Sequence, residues 1–152
     1  MPKIQQTLVL LKPDAVQRGL IGPVTTRFEQ TGLKIVGMKL MWMDEALARK
    51  HYGVHEGKAF FPGLLQFITS SPIVAMVLEG PDAVEKVRGI MGATSPAKAA
   101  PGTIRGDFGV DIGRNLVHGS DSGDNAAKEI ALFFKSDELH SYVRGNYGWV
   151  VE

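Results

Sequence analysis

The sequence predicts an α/β (α+β) sandwich in which helices cover a mostly antiparallel sheet of four strands. Three short runs of mainly apolar residues, within 4–11, 72–78 and 115–118, have the composition of strands that are buried on both faces. A fourth segment, 33–43, partly alternates apolar and polar residues, as a strand with one buried face does. Helical segments with one apolar face lie between these strands, so strands and helices are expected to pack as layers.

The strands and helices at the start of the chain have clear boundary signals. The strand over 4–11 is expected to end at Lys12-Pro13-Asp14, because proline lacks the amide that a sheet ladder needs. Gly22-Pro23 begins a helix, and Thr31-Gly32 ends it. The strand over 33–43 follows directly.

Two short helices and a buried strand come next. Asp44 suits the N-cap of a helix that runs to about His51, and Pro62 suits the first turn of a second helix. These two helices are expected to form a hairpin. The strand over 72–78 then leads into a helix, and the residues at 82–85 have the spacing of a capping box.

The last part of the chain combines a long loop with a strand and a helix. No strand or helix period survives over 93–113, and a structureless loop of this length is usually functional. The strand over 115–118 follows, and then a helix over 122–134. The predicted apolar face of this helix consists of Ala127, Ile130, Ala131 and Phe134.

The order of the elements narrows the fold. It contains no internal repeat and no linker-like tract, so we expect a single domain over 1–152. The order is typical of the split βαβ, or ferredoxin-like, βαββαβ sandwich, here with an extra helical hairpin and a long active-site loop. A doubly wound parallel sheet is the alternative.

Composition excludes several classes of function. Lysine and arginine number 17 against 16 aspartates and glutamates, so the formal net charge of +1 does not attract nucleic acid or an anionic membrane. The chain has no cysteine, which excludes disulfides, a thiolate nucleophile and a cysteine-ligated zinc. Residues 1–6 do not begin a signal peptide, and no apolar run approaches bilayer-spanning length, so we expect no membrane partner and a cytoplasmic location.

The region 88–123 has the residue types that bind phosphate. Glycines are dense there, and their amides are open to an anion. Its guanidinium, hydroxyl, amide and imidazole groups belong to Arg88, Thr94, Arg105, Arg114, Asn115, His118 and Ser120. Neither a P-loop nor a dinucleotide-binding glycine motif occurs, so any phosphate is bound in another way.

His118 is the histidine most suited to chemistry, because it alone ends a predicted buried strand. His51 lies in a charged helix, His55 in a polar turn and His140 in an exposed region. A neutral imidazole at position 118 suits a nucleophile, a base or a ligand. The alternative is a core histidine satisfied by a backbone carbonyl. A metal site is disfavoured, since no second ligand stands at a spacing such as H-x-x-x-H.

Other candidates have ordinary structural explanations too. Arg88 suits a surface arginine whose stem lies on apolar residues, and Lys12 suits a solvated charge at a strand end. Arg105 is equally well placed to pair with Asp107. Glu129, opposite the predicted apolar face of its helix, suits a solvated carboxylate.

Two segments closely resemble the nucleoside diphosphate kinases. One is 12–22, Lys-Pro-Asp-Ala-Val-Gln-Arg-Gly-Leu-Ile-Gly, and the other, 113–122, contains Asn-x-x-His-Gly-Ser-Asp, the active-site signature of that family. Further likeness lies at 27–30, at 60–64, at 101–108 and in the closing Trp-Val-x-Glu. The resemblance therefore extends over nearly the whole chain.

The resemblance implies an enzyme that moves the γ-phosphoryl group of a nucleoside triphosphate, such as ATP, to a nucleoside diphosphate. It implies a ping-pong route through a phosphohistidine on His118, with Glu129 holding the other imidazole nitrogen and Lys12 also catalytic. By position, the residues it implies for nucleotide binding are Lys12, Tyr52, Phe60, Leu64, Arg88, Thr94, Arg105, Ile112, Asn115 and Gly119, with Ser120 and Asp121 supporting them.

The resemblance also implies how the base, the metal and the partners are arranged. The base is expected between Phe60 and Ile112, where stacking tolerates any base, although Phe60 taken alone is more typical of a core or staple residue. Mg²⁺ is expected on the β- and γ-phosphates, because the sequence has no dedicated carboxylate cage. The tail 145–152 resembles that of the longer, hexameric chains of the family, so a hexamer is expected rather than a tetramer, with Pro101 at an interface.

Two other functions compete with this interpretation. RNA-binding domains share the predicted topology, and 105–112 superficially resembles their RNP1 motif, but Asp107 and Gly109 replace the stacking aromatics. We therefore expect no specific nucleic-acid partner. A catalytically silent relative that only binds nucleotide is disfavoured, because His118 and its implied partners are all present.

Overall fold

The computed structural model describes residues 3–152; Met1 and Pro2, which begin the stretch considered for a signal peptide, lie outside the described residues. The strands are β1 (Ile4–Leu11), β2 (Lys34–Met41), β3 (Ile73–Pro81) and β4 (Val117–Gly119). The α-helices are α1 (Pro13–Gln17), α2 (Ile21–Glu29), α3 (Glu45–His51), α4 (Phe61–Ile68), α5 (Ala83–Met91), α6 (Ile104–Phe108) and α7 (Gly123–Phe133). Within 3–152, no helix is both long enough and apolar enough to cross a membrane.

The strands form one antiparallel sheet in the order β2-β3-β1-β4. This order confirms the predicted ferredoxin-like sandwich, because the two βαβ units of that fold interleave and leave no parallel neighbours. The alternative, a doubly wound parallel sheet, is excluded. In the register of β1 with β4, Leu10 lies opposite His118 and Leu11 opposite Val117. The end of β1 therefore meets the start of β4.

Helices cover both faces of the sheet, which explains why most of β1 and β3 is apolar. Leu8 and Leu10 pack in one buried cluster with side chains of α3, α4 and α7. Val9 and Leu11 pack in the other with side chains of α2, α5 and α6. Because successive side chains of a strand leave opposite faces, one continuous apolar run supplies both layers.

Several predicted boundaries are confirmed. β1 covers the predicted residues, and the Asp44 carboxylate caps α3 by accepting from the Leu47 amide at 2.8 Å. Gly92 ends α5 with a φ of 86°. A Cβ at that position would lie 2.4 Å from Oγ1 of Thr103, so both its conformation and its surroundings require glycine.

The predicted capping box over 82–85 is wrong. Asp82 adopts a left-handed conformation, with a φ of 46°, and its side chain makes no capping hydrogen bond. The amide of Val84 instead donates to Oε1 of Gln5 on β1 at 3.0 Å. A side chain that is distant in sequence caps this helix, and a local motif carries no sign of it.

Two short helices were not predicted. Pro13 ends β1 but also begins α1, since its fixed φ suits the first helical turn. α6 lies inside the predicted loop over 93–113, where Oγ1 of Thr103 accepts from the Gly106 amide at 3.0 Å. Each helix has five residues, which is too short to show a helical period.

The predicted apolar face of the last helix is partly wrong. Ala127 and Ala131 are exposed, whereas Ala126 and Phe133 are buried. The true inner face is displaced by about one residue along the helix. Alanine is too small to mark a face when it occurs on both sides of a helix, as it does here.

Candidate active site

A cleft of about 1060 Å³ opens beside the junction of β1 and β4. The structure brings nearly all the predicted site residues to its walls. These residues are Lys12, Tyr52, Phe60, Leu64, Arg88, Thr94, Arg105, Ile112, Asn115, His118, Gly119, Asp121 and Glu129. Ser120 does not line the cleft; it is fully buried, and its amide donates to the Leu8 carbonyl at 3.1 Å.

His118 on β4 is held by Glu129 on α7. Nε2 of the imidazole lies 2.8 Å from Oε2 and 3.2 Å from Oε1 of the carboxylate. The side chains of His118 and Glu129 are 26% and 15% exposed, so water reaches the pair only in part. A carboxylate, rather than a backbone carbonyl, satisfies this histidine, and Glu129 is not the solvated surface group that its helix position suggested.

The charge of Glu129 determines the tautomer of His118. Burial raises the pKa of the Glu129 carboxyl, but the hydrogen bond and charge of His118, with smaller contributions from His51 and Ser120, bring that pKa below its usual value. An ionised carboxylate only accepts hydrogen bonds. Neutral His118 therefore carries its proton on Nε2 and its lone pair on Nδ1.

Hydrogen bonds join the end of β1 to the residues that precede β4. The Lys12 ammonium donates to Oδ1 of Asn115, and the Lys12 amide donates to the Leu116 carbonyl at 2.9 Å. Leu116 has a φ of 76°, a strained conformation for a residue with a side chain. Its amide donates to Oδ2 of buried Asp14 at 2.9 Å, which holds it there. Nδ2 of Asn115 donates to the Thr94 carbonyl at 2.9 Å, so Asn115 is fixed at both ends of its amide.

Lys12 is a poorly solvated cation rather than a solvated strand-end charge. Burial lowers the pKa of its ammonium to about 8; the carboxylate of Asp14 opposes this shift, and Arg105 and Arg114 add to it. At neutral pH the group remains protonated in an environment that disfavours its charge. An anion in the cleft would relieve that cost.

Arg105 connects three backbone segments around the cleft by hydrogen bonds, and it also contributes positive charge to the cleft. Its guanidinium donates to three backbone carbonyls. The acceptors are the carbonyl oxygens of Asn115 at 3.1 Å, Gly92 at 3.0 Å and Val117 at 2.7 Å. Two of its five N–H donors remain for a ligand. The alternative partner, Asp107, pairs instead with Arg27 at 2.7 Å.

Burial and neighbouring charges also shift the pKa values of Arg105 and Tyr52. Burial, followed by repulsion from Arg88, lowers the pKa of Arg105 to about 10, which leaves it protonated at neutral pH. Burial and the charge of Glu129 raise the pKa of Tyr52, so its hydroxyl stays a neutral donor. Arg88 lies exposed in the last turn of α5.

Gly119 and Asp121, which follow His118 in the sequence, form part of the cleft wall beside it. Gly119 permits close packing of α5 on β4, because a Cβ there would lie 2.7 Å from Sδ of Met91. Oδ1 of Asp121 accepts from Nδ2 of Asn125 at 2.6 Å, and this hydrogen bond lowers the pKa of the Asp121 carboxyl.

The outer part of the cleft carries exposed apolar side chains. Phe60 is 54% exposed and Ile112 is 60% exposed. Phe60 therefore does not take the core position that its sequence also suited; its neighbour Phe61 does. Leu64 is partly buried one turn further along α4.

His51 is the main site residue that sequence reasoning missed. Its ring centroid lies 4.7 Å from that of His118, with an angle of 86° between the rings. Burial and then the neighbouring His118 lower the pKa of His51 to about 4, so it is neutral at neutral pH. Ala48, three residues earlier, is buried, and this spacing was the available sign that His51 faces inward. Other cleft residues that were not predicted include Lys50, Val54, His55, Asn125, Lys128 and Leu132.

The segment that resembled an RNP1 motif does not have the structure of one. Residues 104–108 form α6 rather than a strand, whereas RNP1 aromatics stand on the sheet of an RNA-recognition domain. Helices also cover both faces of the sheet. This motif therefore gives no support to an RNA-binding surface.

Comparisons with known proteins agree with the geometry. The family described as nucleoside diphosphate kinase matches residues 5–139. The nucleoside diphosphate kinase of Chloroflexus aggregans is 60% identical over 151 residues, and that of Roseiflexus sp. strain RS-1 is 58% identical over 149; each alignment covers 98% of this chain and all of the relative. A halophilic nucleoside diphosphate kinase from Halobacterium salinarum, solved in complex with CDP, is 56% identical, with a TM-score of 0.96 over 99% of this chain and 100% of that one. This chain belongs to the nucleoside diphosphate kinase family.

Proposed function

We propose that this enzyme transfers the γ-phosphoryl group of a nucleoside triphosphate to a nucleoside diphosphate by way of a phosphohistidine on His118. Family membership supports nucleotide phosphotransfer. The observation that carries the assignment is the 2.8 Å contact between Nε2 of His118 and ionised Glu129. It leaves the lone pair of Nδ1 as the nucleophile.

The reaction has two symmetrical halves. Nδ1 attacks the γ-phosphorus in line, the bond from that phosphorus to its bridging oxygen breaks, and the nucleoside diphosphate leaves with that oxygen. Glu129 offsets the positive charge that forms on the imidazole. In the second half, a terminal phosphate oxygen of another nucleoside diphosphate attacks the phosphorus, and the P–N bond breaks to regenerate neutral His118.

Three cations support the transfer electrostatically. The side chains of Lys12, Arg88 and Arg105 all line the cleft that contains His118. Phosphoryl transfer needs positioning and charge stabilisation more than acid or base catalysis. The hydroxyl of Tyr52 and the amide of Asn115 would add neutral donors for phosphate or ribose oxygens.

Base recognition is proposed to rest on stacking. The exposed side chains of Phe60 and Ile112 would enclose the base, with Leu64 beside them. Apolar faces contact any base without reading its edge, so broad tolerance follows. The CDP complex of the Halobacterium salinarum relative is consistent with a nucleotide in this fold.

Mg²⁺ would be held mainly by the nucleotide. Among the described residues, the carboxylates that line the cleft are Asp121 and Glu129, and Glu129 is engaged with His118. The cleft residues fit an ion whose ligands would come mainly from phosphate oxygens and waters, with Asp121 available to accept a hydrogen bond from such a water, and they do not form a cage of carboxylates. When bound, the ion neutralises charge on the phosphates.

We also propose that the chain assembles as a homo-oligomer. β2 is an edge strand, and Met38, Leu40 and Trp42 on and after it are 45%, 64% and 62% exposed. Apolar side chains on an edge strand favour pairing with a second copy. From the resemblance of the tail, we expect a hexamer, with Pro101 at an interface. Sedimentation at the mass of six 16.5-kDa chains would support the hexamer, and sedimentation at the mass of four chains would favour a tetramer.

The remaining proposals concern domain organisation and location. One sheet contributes to both buried clusters, which supports a single domain, and a single cooperative unfolding transition would test it. The proposed substrates belong to the nucleotide pool of the cytoplasm, which supports a cytoplasmic location. Cell fractionation would test that location.

A matched pair of variants tests the nucleophile. His118→Ala should bind ADP with nearly unchanged affinity and lose phosphoryl transfer, because it removes Nδ1 but no proposed phosphate contact. His140→Ala, at an exposed histidine outside the cleft, is the control and should retain transfer. A His118→Ala enzyme that still turns over would refute the assignment.

A further inference from the structure

We propose that a divalent transition-metal ion such as Zn²⁺ binds to His51, His118 and Glu129, and that the bound ion inhibits phosphoryl transfer. The proposed inhibition rests on the proposed function of His118, whereas the proposed metal binding is independent of it. The proposed Mg²⁺ belongs to the nucleotide phosphates, so this is a second and chemically different metal site.

Three ligand groups that are far apart in sequence meet at this point. One nitrogen from each histidine and one carboxylate oxygen of Glu129 all lie within 4.8 Å of one another. Ligand atoms around a tetrahedral zinc, with bonds of about 2.0–2.1 Å, lie about 3.4 Å apart. Small rotations of partly buried side chains therefore close the site. The sequence argument against a metal relied on spacing along the chain, and the fold removes that objection.

His51 is the group that the rest of the molecule leaves unexplained. Both of its ring nitrogens are buried and lack a hydrogen-bond partner among the described residues. A buried polar atom without a partner costs free energy, and such atoms commonly mark a ligand or catalytic site. His51 Nδ1 and Nε2 offer one lone pair in the neutral ring, which is what a metal ligand requires.

Packing holds the three ligands in place before any ion binds. They come from α3, β4 and α7, which are separate elements around one end of the cleft. The ring of Phe133 lies edge-on to His51, with centroids 5.2 Å apart, and the centroid of the Tyr52 ring lies 4.4 Å from that of His51. Because the side chains line the cleft, a fourth position on the ion stays open to water, as in three-ligand zinc sites.

The donor set favours zinc over magnesium. Two imidazoles and one carboxylate suit Zn²⁺ and other late first-row divalent ions. Mg²⁺ prefers six oxygens and gives up its waters reluctantly, so it competes poorly for two nitrogen ligands. The enzyme can thus hold Mg²⁺ on its nucleotide while this second site responds to a different ion.

Binding at Nε2 removes the nucleophile of His118. In the metal-free protein, Nε2 carries the proton and donates to Glu129. An ion that takes the Nε2 lone pair requires that nitrogen to be deprotonated, and the neutral ring then keeps its proton on Nδ1. The proton moves from Nε2 to Nδ1, no proton is released, and the lone pair that attacks phosphorus is lost. Glu129 changes from hydrogen-bond acceptor to ligand.

Calorimetric titration of the nucleotide-free protein with ZnCl₂, in a buffer without phosphate, tests the binding. We expect one ion per chain. His51→Gln and Glu129→Gln should each weaken that binding by about tenfold or more, since each removes a ligand but preserves the side chain's size. His140→Gln, at an exposed histidine outside the cleft, should leave it unchanged. Thermal unfolding of each variant verifies that it is folded. Equal affinity in the wild type and His51→Gln would overturn the site.

Nitrogen NMR of His118 provides an independent readout. In ¹⁵N spectra that report ring protonation, Zn²⁺ should convert His118 from the Nε2–H to the Nδ1–H tautomer. An unchanged tautomer at saturating Zn²⁺ would overturn the proposed mode of inhibition. This spectrum needs no turnover, and it remains readable if His51→Gln is unstable.

Label uptake tests the switch. Protein preloaded with one equivalent of Zn²⁺ and desalted is mixed with Mg²⁺ and γ-labelled ATP, and covalent label should be reduced by tenfold or more. Labelling should recover when the Zn²⁺ is first removed with EDTA and the protein is desalted again before Mg²⁺ and ATP are added. His51→Gln, compared with its own zinc-free rate, should resist the same treatment. Full labelling with the site filled would overturn the inhibitory role. Failure of the zinc-free protein to label would count against the proposed function instead, and the titration would still decide the site.

Discussion

Nε2 of His118 lies 2.8 Å from Oε2 of Glu129, and this contact sets which imidazole nitrogen is free. The histidine stands on β4 opposite Leu10, whereas the carboxylate comes from α7. A strand and the following helix therefore fix the two partners independently. The chemistry proposed for the chain depends on the lone pair that this contact leaves on Nδ1.

Glu129→Gln should slow phosphorylation of the enzyme by about two orders of magnitude or more, because the amide has no charge and can also donate to Nε2 and select the wrong tautomer. ADP affinity should change little, since Glu129 contacts no proposed phosphate oxygen. Rapid-quench labelling with γ-labelled ATP measures the rate. Glu85→Gln, at an exposed position of α5, is the control. A Glu129→Gln rate within about twofold of wild type would show that the carboxylate does not orient His118.

Nucleotide affinity should decrease as the pH rises through about 8. Burial lowers the pKa of Lys12 to about 8, so the free enzyme loses this cation above that pH, and the phosphates then meet one positive charge fewer. ADP dissociation constants across pH 7–9.5 would measure the effect, about tenfold at the upper end. Lys12→Arg, whose guanidinium stays protonated, should flatten the profile. An unchanged wild-type slope in that variant would assign the titration to another group.

The lowered pKa of Lys12 also predicts that the free energy of unfolding depends on pH. Below pH 8 folding must bury a charged Lys12, which costs free energy. Between about 8 and 10.5 the native state has released that proton and the unfolded state has not, so the free energy of unfolding rises with pH across this window. Urea unfolding of the nucleotide-free protein should show this rise, and Lys12→Met should remove it. A rise of the same size in Lys12→Met would contradict the account.

Arg105→Lys should destabilise the fold by about 2–4 kcal/mol, because one ammonium cannot reach the three carbonyls of Gly92, Asn115 and Val117 and leaves buried acceptors unpaired. The urea midpoint measures this change. Arg18→Lys, which alters a single exposed bond to the Phe108 carbonyl, should change stability by less than about 0.5 kcal/mol. Equal effects of the two substitutions on stability would show that the three hydrogen bonds of Arg105 do not stabilise the fold.

Gly119→Ala should destabilise the protein by about 1–3 kcal/mol, since the new Cβ would lie 2.7 Å from Sδ of Met91 and 3.2 Å from Cγ1 of Val87. The test is a double-mutant cycle with Met91→Ala, which empties the space that the Cβ needs. Gly119→Ala should cost less in the Met91→Ala background than in the wild type. Strict additivity would mean that Met91 is not the obstacle.

Local sequence patterns were sufficient for most of the sheet and for singling out His118 as a candidate for chemistry. β1 is apolar at both faces because helices cover both, and its predicted bounds are the observed ones. His118 stood out because it ends a predicted buried strand, and it lies on β4. Asp44 was recognised because a helix cap is a local interaction, and it does cap α3.

Features set by distant contacts were beyond local patterns. Gln5 caps α5 across 79 residues, and Asp14 holds the strained Leu116 across 102. His51 lies beside His118 because α3 packs on α7, although Arg49 and Lys50 directly before it are charged. The sequence near Gln5, Asp14 and Leu116 contains no sign of these contacts, and for His51 the one local sign is its spacing from buried Ala48.

The measurement that tests the central claim most directly is a pulse and chase of the phosphoryl group. The protein is mixed with Mg²⁺ and γ-labelled ATP without an acceptor, isolated, and then given a different nucleoside diphosphate. Acid-labile, alkali-stable label on His118 that passes into the new triphosphate is the predicted result. Nucleotide binding without label, or label on another residue, would contradict the phosphohistidine route.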